Sequence, residues 1–311
     1  MAGRAASGLR AGVAGGFGAY FLWGLFPLYW GFLEPATPTE VLAARVVFSL
    51  VCMVALVTAV GQWAPVRAVL ADPRRRGLLA VAAVVVSLNW GVYIWAVSAE
   101  HVVDASLGYF VNPLVSVALG VLVLGERMRP LQWLAIGIAT LAVLYVTAAL
   151  GRPPWIALVL AFSFGSYGLL KKLAGVDAIA SLTVELVILT PFALGYVLWL
   201  AERGTLAFGH HGWGHALLMA GAGPVTAIPL LLFGFAAHRV PLTVLGPLQY
   251  VTPSMQLVIG VWLFGEPMSG QRWLAFSGVW VALAIFTIDA VRASRAAPAN
   301  ARIAAQMVED L

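Results

Sequence analysis

The sequence predicts an all-α polytopic membrane protein whose ten transmembrane helices form two inverted five-helix repeats. Hydrophobic residues make up 62% of the chain and charged residues only 10%, whereas globular chains contain about 25% charged residues. Several uncharged runs reach the length of about 20 residues that a helix needs to cross a bilayer. A third observation, an internal repeat, sets the number and direction of the helices.

The repeat relates residues 107–144 to residues 245–286. Proline, glycine, glutamate and tryptophan recur at a constant separation of 140 positions. Because each half contains an odd number of spans, the second half enters the membrane from the opposite side, as in many secondary transporters. The matched pairs are Pro113 and Pro253, Gly120 and Gly260, Glu126 and Glu266, and Trp133 and Trp273.

The first repeat, residues 12–149, follows an N-terminal segment of residues 1–11. Its first span is too long and too rich in aromatic residues for the core of a signal peptide, so we interpret it as a helix of the protein. Proline, glycine or charged residues separate the spans that follow. The five predicted spans are Gly12–Leu33, Thr39–Val60, Gly77–Ser98, Ala105–Leu124 and Leu131–Ala149.

The second repeat, residues 154–290, is followed by an alanine-rich tail of residues 291–311. The longest linkers in the chain, residues 61–76 and 202–214, are too short for a soluble domain. The five predicted spans are Pro154–Leu170, Ala180–Ala201, His215–Ala236, Thr243–Phe264 and Gln271–Ala290.

Basic residues predict the orientation of the chain. Fourteen lie at the termini or in turns on one side, three lie in turns on the other, and Arg45 lies within a span. Since cytoplasmic loops carry the excess of lysine and arginine, we expect both termini in the cytoplasm. This distribution also explains the net charge of +5, so no nucleic-acid partner is expected.

Two prolines lie near the centres of predicted spans at equivalent places in the repeats. Pro113 and Pro253 have no N–H for the carbonyls four residues earlier, and a free carbonyl in lipid must find a partner or line a wet cavity. A packing kink is the alternative. The polar neighbours favour a cavity, so we predict that these side chains bind a solute: Tyr109, Asn112, Gln249 and Tyr250.

Two charged residues are embedded in predicted helices, where a charge costs at least about 2.5–3.5 kcal/mol. We interpret Arg45 as an anchor for an anion or substrate, or as a side chain that extends to the outer membrane surface. Glu185 is a candidate for proton coupling, or else it pairs with Lys171 or Lys172 near the inner surface.

Polar and helix-breaking residues extend the candidate site to other spans. Asn89 and Tyr93 share one helical face and are further candidates for binding. The span that contains Pro224 and Pro229 is expected to be broken there and to be the flexible element.

Several classes of chemistry have no support in the sequence. Cys52 is the only cysteine, so no internal disulfide forms. The cluster of His210, His211 and His215 lacks an accompanying carboxylate pattern, and we expect no metal or cofactor. Phosphate-binding and hydrolase motifs are missing. An intramembrane enzyme would need paired catalytic groups, and a scaffold or sensor would leave the repeat unexplained; both remain alternatives.

The sequence resembles the RarD group, also labelled chloramphenicol-sensitive proteins, in the EamA part of the drug/metabolite transporter superfamily. The resemblance implies ten helices in two EamA-type halves, a bacterial inner-membrane location and small-molecule transport. It rests on 21-FLWGLFPLYW-30, Glu40 with Arg45, 87-SLNW-90, 105-ASLGYFVNPL-114, 125-GER-127, 223-GPVTAIP-229 and 248-LQY-250.

These observations together predict a secondary transporter that works by alternating access. Its solute is a small metabolite, an amino-acid-like molecule or an amphipathic drug-like molecule, with or without proton coupling. The protein is expected to be a monomer or a homodimer in the lipid bilayer. The alternatives are a non-transporting scaffold or sensor and an intramembrane enzyme.

Overall fold

The computed structural model of the protein describes residues 2–125, 128–151, 153–237 and 248–309. Glu126, Arg127, Arg152, Arg239 and the beginning of the predicted Thr243–Phe264 span lie outside these ranges. The helices of the first half are α1 (Ala2–Gly24), α2 (Phe26–Gly31), α3 (Pro38–Ala59), α4 (Trp63–Ala71), α5 (Pro73–Ser98), α6 (Val102–Leu124) and α7 (Pro130–Leu150). Those of the second half are α8 (Trp155–Ala174), α9 (Ala178–Glu202), α10 (Gly212–Ala237), α11 (Val251–Val258), which continues as a π-helical turn (Ile259–Leu263), and α12 (Gly270–Glu309).

The helices confirm an all-α polytopic membrane protein with about ten spans. Within the described ranges, nine helices are long and apolar enough to cross a membrane, and Val251–Leu263 is a shorter apolar helix. Two details differ from the prediction. The first span is divided at Leu25, where α2 begins with Pro27 in its first turn, and the linker 61–76 contains α4, which packs on α5 and α9.

Side chains at corresponding positions of the two halves start corresponding helices. The Thr37 hydroxyl accepts a hydrogen bond from the Glu40 N–H at 3.3 Å, at the start of α3. The Asp177 carboxylate accepts one from the Ala180 N–H at 2.9 Å, at the start of α9. Such N-caps satisfy backbone donors that have no partner within the helix. Thr37 and Asp177 are again 140 positions apart.

The packing of the helices follows the repeat. The pairs α6–α8, α5–α8 and α3–α10 of the structure have the counterparts α11–α1, α10–α1 and α9–α5, and each counterpart is also a contact. The pairs α3–α9, α6–α11 and α7–α12 join a helix to its own counterpart. Each of these contacts is therefore exchanged with another contact, or with itself, when every span is replaced by its equivalent.

Glycines allow the two halves to approach closely at two of these interfaces. A Cβ on Gly108 of α6 would lie 2.7 Å from the carbonyl oxygen of Ala157 in α8. A Cβ on Gly223 of α10 would overlap the Phe48 carbonyl of α3. Small residues at helix contacts bring backbones together inside membranes, so these contacts fix the spacing of helices from opposite halves.

The two central prolines occupy different places in their helices. Pro113 lies inside α6, as predicted. Pro253 lies in the first turn of α11, which begins at Val251 after a turn at Gln249 and Tyr250; its predicted place at the centre of a span stays a prediction, because residues 243–247 lie outside the described ranges. A proline in a first turn removes an N–H that has no partner within the helix, and it is therefore well tolerated there.

The prediction that prolines break the eighth span is wrong. α10 runs continuously from Gly212 to Ala237 with Pro224 and Pro229 inside it. α6 likewise continues through Pro113. A transmembrane helix tolerates such prolines when neighbouring helices and hydroxyl groups satisfy the backbone. The Thr226 hydroxyl, for example, donates to the Ala222 carbonyl at 2.8 Å.

Candidate functional site

Arg45 lies in an aromatic cage at the contact of α2, α3 and α5. Its guanidinium carbon is 4.0 Å from the ring centre of Trp90, 5.3 Å from that of Trp30 and 5.6 Å from that of Phe26. Phe26 and Trp30 are one turn apart on α2, and their rings meet edge to face at 5.3 Å. The side chain is 4% exposed, so Arg45 does not extend to the membrane surface.

The cage stabilises the buried charge without neutralising it. Each cation–π contact contributes about 2 kcal/mol when it is desolvated, which offsets part of the cost of placing a charge in the membrane. Arginine stays protonated in proteins, and the described residues place no carboxylate within ion-pair distance of Arg45. The site therefore has a net positive charge.

Asn89 and the two tyrosines extend the site towards α6 and α8. Asn89 Nδ2 donates to the Leu160 carbonyl at 3.0 Å and to Ser163 Oγ at 2.9 Å. The Tyr109 hydroxyl donates to Asn89 Oδ1 at 3.4 Å. The rings of Tyr93 and Tyr109 meet edge to face at 5.6 Å. Arg45, Asn89, Tyr93 and Tyr109, four of the predicted residues, thus form one cluster.

Gln256 of α11 completes the cluster from the second half. Its Nε2 donates to the Tyr93 hydroxyl at 2.9 Å and to the Trp23 carbonyl at 3.4 Å. Only 1% of this residue is exposed. The sequence shows Gln256 as a polar residue in an apolar span, three positions after Pro253, but its contact with α5 depends on tertiary packing.

Three other predicted residues lie away from this cluster. The Tyr250 ring stacks on Phe110 at 6.4 Å, within the apolar core that α6 shares with α12. The Asn112 side chain accepts a hydrogen bond from Ser116 at 3.5 Å. Gln249 is half-buried beside Tyr250 in the turn before α11. Their binding roles remain predictions.

Glu185 forms a separate network between α8 and α9. The Tyr167 hydroxyl donates to Glu185 Oε2 at 2.9 Å and accepts from Lys171 Nζ at 2.8 Å. Lys171 Nζ is also 3.4 Å from Glu185 Oε1. The carboxylate is buried, whereas 23% of the lysine side chain is exposed. Of the two interpretations from sequence, the geometry matches pairing with Lys171.

Two buried glutamates join the halves at the predicted outer ends of the helices. Glu40 of α3 accepts hydrogen bonds from the N–H groups of Ala207 and Phe208, both at 2.9 Å, and the Phe208 ring lies 5.5 Å from that of Phe48. Glu266 accepts from the first N–H groups of α6, and burial raises the pKa of its carboxyl although these bonds oppose the shift. These hydrogen bonds therefore tie the outer ends of helices from the two halves together.

Comparison with known proteins identifies the family. The sequence model of the EamA-like transporter family matches residues 10–148. "Protein RarD" of Streptomyces exfoliatus is 53% identical over 96% of this chain and 95% of its own length. "Uncharacterized transporter YojE" of Bacillus subtilis is 40% identical over 91% of this chain and 95% of its own length.

The chain belongs to the RarD family of EamA-type transporters. It is thus a multi-pass membrane transporter of a bacterial family. A solved crystal structure is similar to this RarD-type chain with a TM-score of 0.55 and 19% identity, over 91% of this chain and 98% of that one; at this identity the likeness shows the fold alone. The resemblance found in the sequence is confirmed.

Proposed function

We propose that the protein is a secondary transporter that binds a small organic solute in the cluster around Arg45 and moves it by alternating access. One observation carries the proposal: buried polar groups from both halves meet there. Arg45, Asn89, Tyr93 and Tyr109 come from the first half, whereas Ser163 and Gln256 come from the second. A rocking motion between the halves would change this site directly.

The division into repeats of residues 12–149 and 154–290 supports this mechanism. The family model spans residues 10–148, which is almost the whole of the first repeat. The main helix contacts between the halves also come in pairs that the repeat exchanges. Two halves with equivalent packing can adopt two arrangements of similar energy by exchanging their roles, and this is the physical basis of alternating access.

The remaining features of the proposal rest on the sequence. We place the protein in the bacterial inner membrane with both termini in the cytoplasm, because basic residues concentrate on that side. Asn112, Gln249 and Tyr250 are proposed to contact the solute along its path rather than within the Arg45 cage. The chain functions as a monomer or homodimer. Relatives such as the uncharacterized transporter YojE are named as transporters rather than as enzymes.

Proton coupling through Glu185 is a second proposal, supported by the burial of its carboxylate. Its carboxylate lies 3.4 Å from the Lys171 ammonium. In the proposed cycle Lys171 moves away from Glu185 in one transport state, and the carboxylate takes up a proton there. In this proposal, Glu185→Gln abolishes the dependence of transport on a proton gradient but preserves exchange of solute.

Flux in proteoliposomes tests the proposed function. Labelled amino acids, organic acids and amphipathic drugs are screened with and without an imposed proton gradient. We expect saturable flux that Arg45→Gln greatly reduces. Arg203→Gln is a matched control, because Arg203 makes a similar contact with the Trp199 ring, at 4.3 Å, outside the site. Folded protein that transports none of these solutes would favour the scaffold alternative.

A further inference from the structure

Three buried hydrogen-bonding groups around the cage have no partner among the described residues. They are Nε1 of Trp30, Nε of Arg45 and the hydroxyl of Ser49. Buried polar groups in native proteins are nearly always hydrogen-bonded, so each exception requires an explanation. Two of the three can only donate, and the third can donate. All three groups can therefore donate a hydrogen bond to an acceptor that the described residues do not supply.

Ser49 shows that the missing partner is not a general feature of these helices. Ser87 donates to the Ala83 carbonyl at 2.7 Å, Thr140 to Ile136 at 2.8 Å and Thr190 to Leu186 at 2.7 Å. A hydroxyl inside a helix usually makes such a bond to the residue four positions earlier. Ser49, which is 0% exposed, does not make this bond, so its hydroxyl remains available for another group.

Two of the three groups belong to the cage, and the third lies one helical turn away from it on α3. The Arg45 guanidinium lies 5.3 Å from the Trp30 ring. Ser49 follows Arg45 by one turn of α3, which places both residues on the same face of that helix. The only fixed charge of this trio is positive. Such a site matches a ligand that brings several acceptor atoms and one negative charge.

We propose that Trp30, Arg45 and Ser49 bind a carboxylate of the transported solute, an inference that rests on the proposed function. A guanidinium matches the planar carboxylate with two parallel hydrogen bonds. In this proposal the rings of Phe26, Trp90 and the tyrosines contact a flat, apolar body of the solute. The transported solute is therefore an organic monocarboxylate with an aromatic or similarly planar group.

Gln256 adds a further requirement for the solute. Its Oε1 is buried and has no partner among the described residues, and its Nε2 faces the Trp23 carbonyl, which can only accept. This orientation leaves Oε1 as an acceptor next to Tyr93. A hydroxyl or amine on the solute, at the end opposite its carboxylate, would satisfy this oxygen.

Binding of acid and amide pairs to the purified full-length protein tests the inference. The probes are benzoate and benzamide, phenylacetate and phenylacetamide, and indole-3-acetate and indole-3-acetamide. Each pair has the same ring and nearly the same shape but differs by one charge. We expect at least one acid to bind at least tenfold more tightly than its amide, as measured by equilibrium dialysis. The result that overturns the inference is that no acid binds more tightly than its amide.

Substitutions assign the preference to this site. Arg45→Gln should remove the preference for the acid, and Arg203→Gln should leave it unchanged. Trp30→Phe keeps a ring but loses the N–H, and Ser49→Ala loses only the hydroxyl. Each variant should weaken binding of the acid several-fold and change binding of the amide little. If Arg45→Gln does not fold, these two variants decide the question, and unchanged acid binding in both contradicts the inference.

The binding experiment and the flux experiment test the carboxylate site and the proposed function separately. Flux of neutral solutes, together with equal binding of acid and amide, would preserve the transporter and remove the carboxylate site. Preferential binding of an acid without flux of any solute would preserve the site and count against transport.

Discussion

Arg45 and Glu185 occupy equivalent positions in the two halves, 140 residues apart, and the structure stabilises their charges in opposite ways. Arg45 is surrounded by three aromatic rings, and no carboxylate in the described part of the chain lies within ion-pair distance of it. Glu185 has a lysine 3.4 Å away and a tyrosine hydroxyl at 2.9 Å. Two of the three rings and both partners of Glu185 come from equivalent helices, because α2 and α8 belong to the first spans of the two halves; the third ring, that of Trp90, comes from α5.

The difference shows how duplicated halves can acquire separate tasks. A charge with its own counter-ion needs no ligand, whereas a charge among rings leaves its hydrogen-bonding capacity available. The surroundings differ in the same way: Asn89 and Tyr93 of the first half correspond to Pro229 and Phe233 of the second. The polar side of the site therefore comes mainly from the first half, and the second half contributes an internal ion pair.

The largest expected contrast is between Arg45→Gln and Glu185→Gln in transport. Arg45→Gln should lower the initial flux at least about tenfold, because a charge-assisted pair with the solute contributes more than a neutral hydrogen bond. Glu185→Gln should keep exchange of solute within about threefold, because a glutamine can still accept from Tyr167. Flux is normalised to reconstituted protein. Equal losses of flux in the two variants would contradict the proposed difference between the two charged residues.

The next contrast concerns the ion pair itself. Lys171→Met should lower the free energy of unfolding by about 3 kcal/mol, because it leaves a buried carboxylate without a counter-ion. Glu185→Gln should lower it by only about 1 kcal/mol, since the partly exposed lysine can reach water. Thermal unfolding in detergent measures both.

A double variant provides the control for this prediction. Lys171→Met combined with Glu185→Leu replaces the pair by apolar groups and should recover most of the stability that Lys171→Met loses. If the double variant is no more stable than Lys171→Met, the ion pair is not what the lysine contributes.

A smaller effect should separate Asn89 from Asn112. Asn89→Ala removes two hydrogen bonds to α8 and the acceptor of the Tyr109 hydroxyl. At about 1 kcal/mol for each bond, we expect flux to fall about fivefold or more. Asn112→Ala should lower flux by a smaller factor, about twofold, because among the described residues its hydrogen-bond partner is Ser116 of the same helix and the solute contacts it only along its path. A larger loss of flux in Asn112→Ala than in Asn89→Ala would indicate that the binding site lies further along α6.

The smallest effect concerns the two equivalent prolines. Pro113→Ala restores a donor for the Tyr109 carbonyl inside α6 and should stabilise the protein by about 1 kcal/mol. Pro253→Ala should change stability by less than about 0.5 kcal/mol, because the first turn of α11 needs no such donor. Melting temperatures in the same detergent decide the contrast. A similar change in melting temperature in both variants would indicate that the two prolines have equivalent roles in their helices.

Much of the architecture could be read from the sequence. The spans near Arg45, Asn89 and Glu185 were predicted within a few residues, because an uncharged run of sufficient length has few alternatives to a membrane helix. The pairing of Asn89 with Tyr93 on one face followed from helical periodicity. The break at Leu25 and the helix α4 within the linker 61–76 were not predicted, since both depend on how neighbouring helices pack.

The sequence alone determined the class of the protein, the number and order of its apolar spans, its duplicated organisation and its family. These properties depend on composition, length and the spacing of residues along the chain, which the chain carries whatever its final packing. The tertiary structure decided which buried polar groups meet. It joined Arg45 to Trp30 and Tyr93 to Gln256, and it separated Asn112 and Tyr250 from them. Such contacts depend on the rotation and spacing of helices far apart in sequence, which close packing at Gly108 and Gly223 sets and which no local pattern encodes.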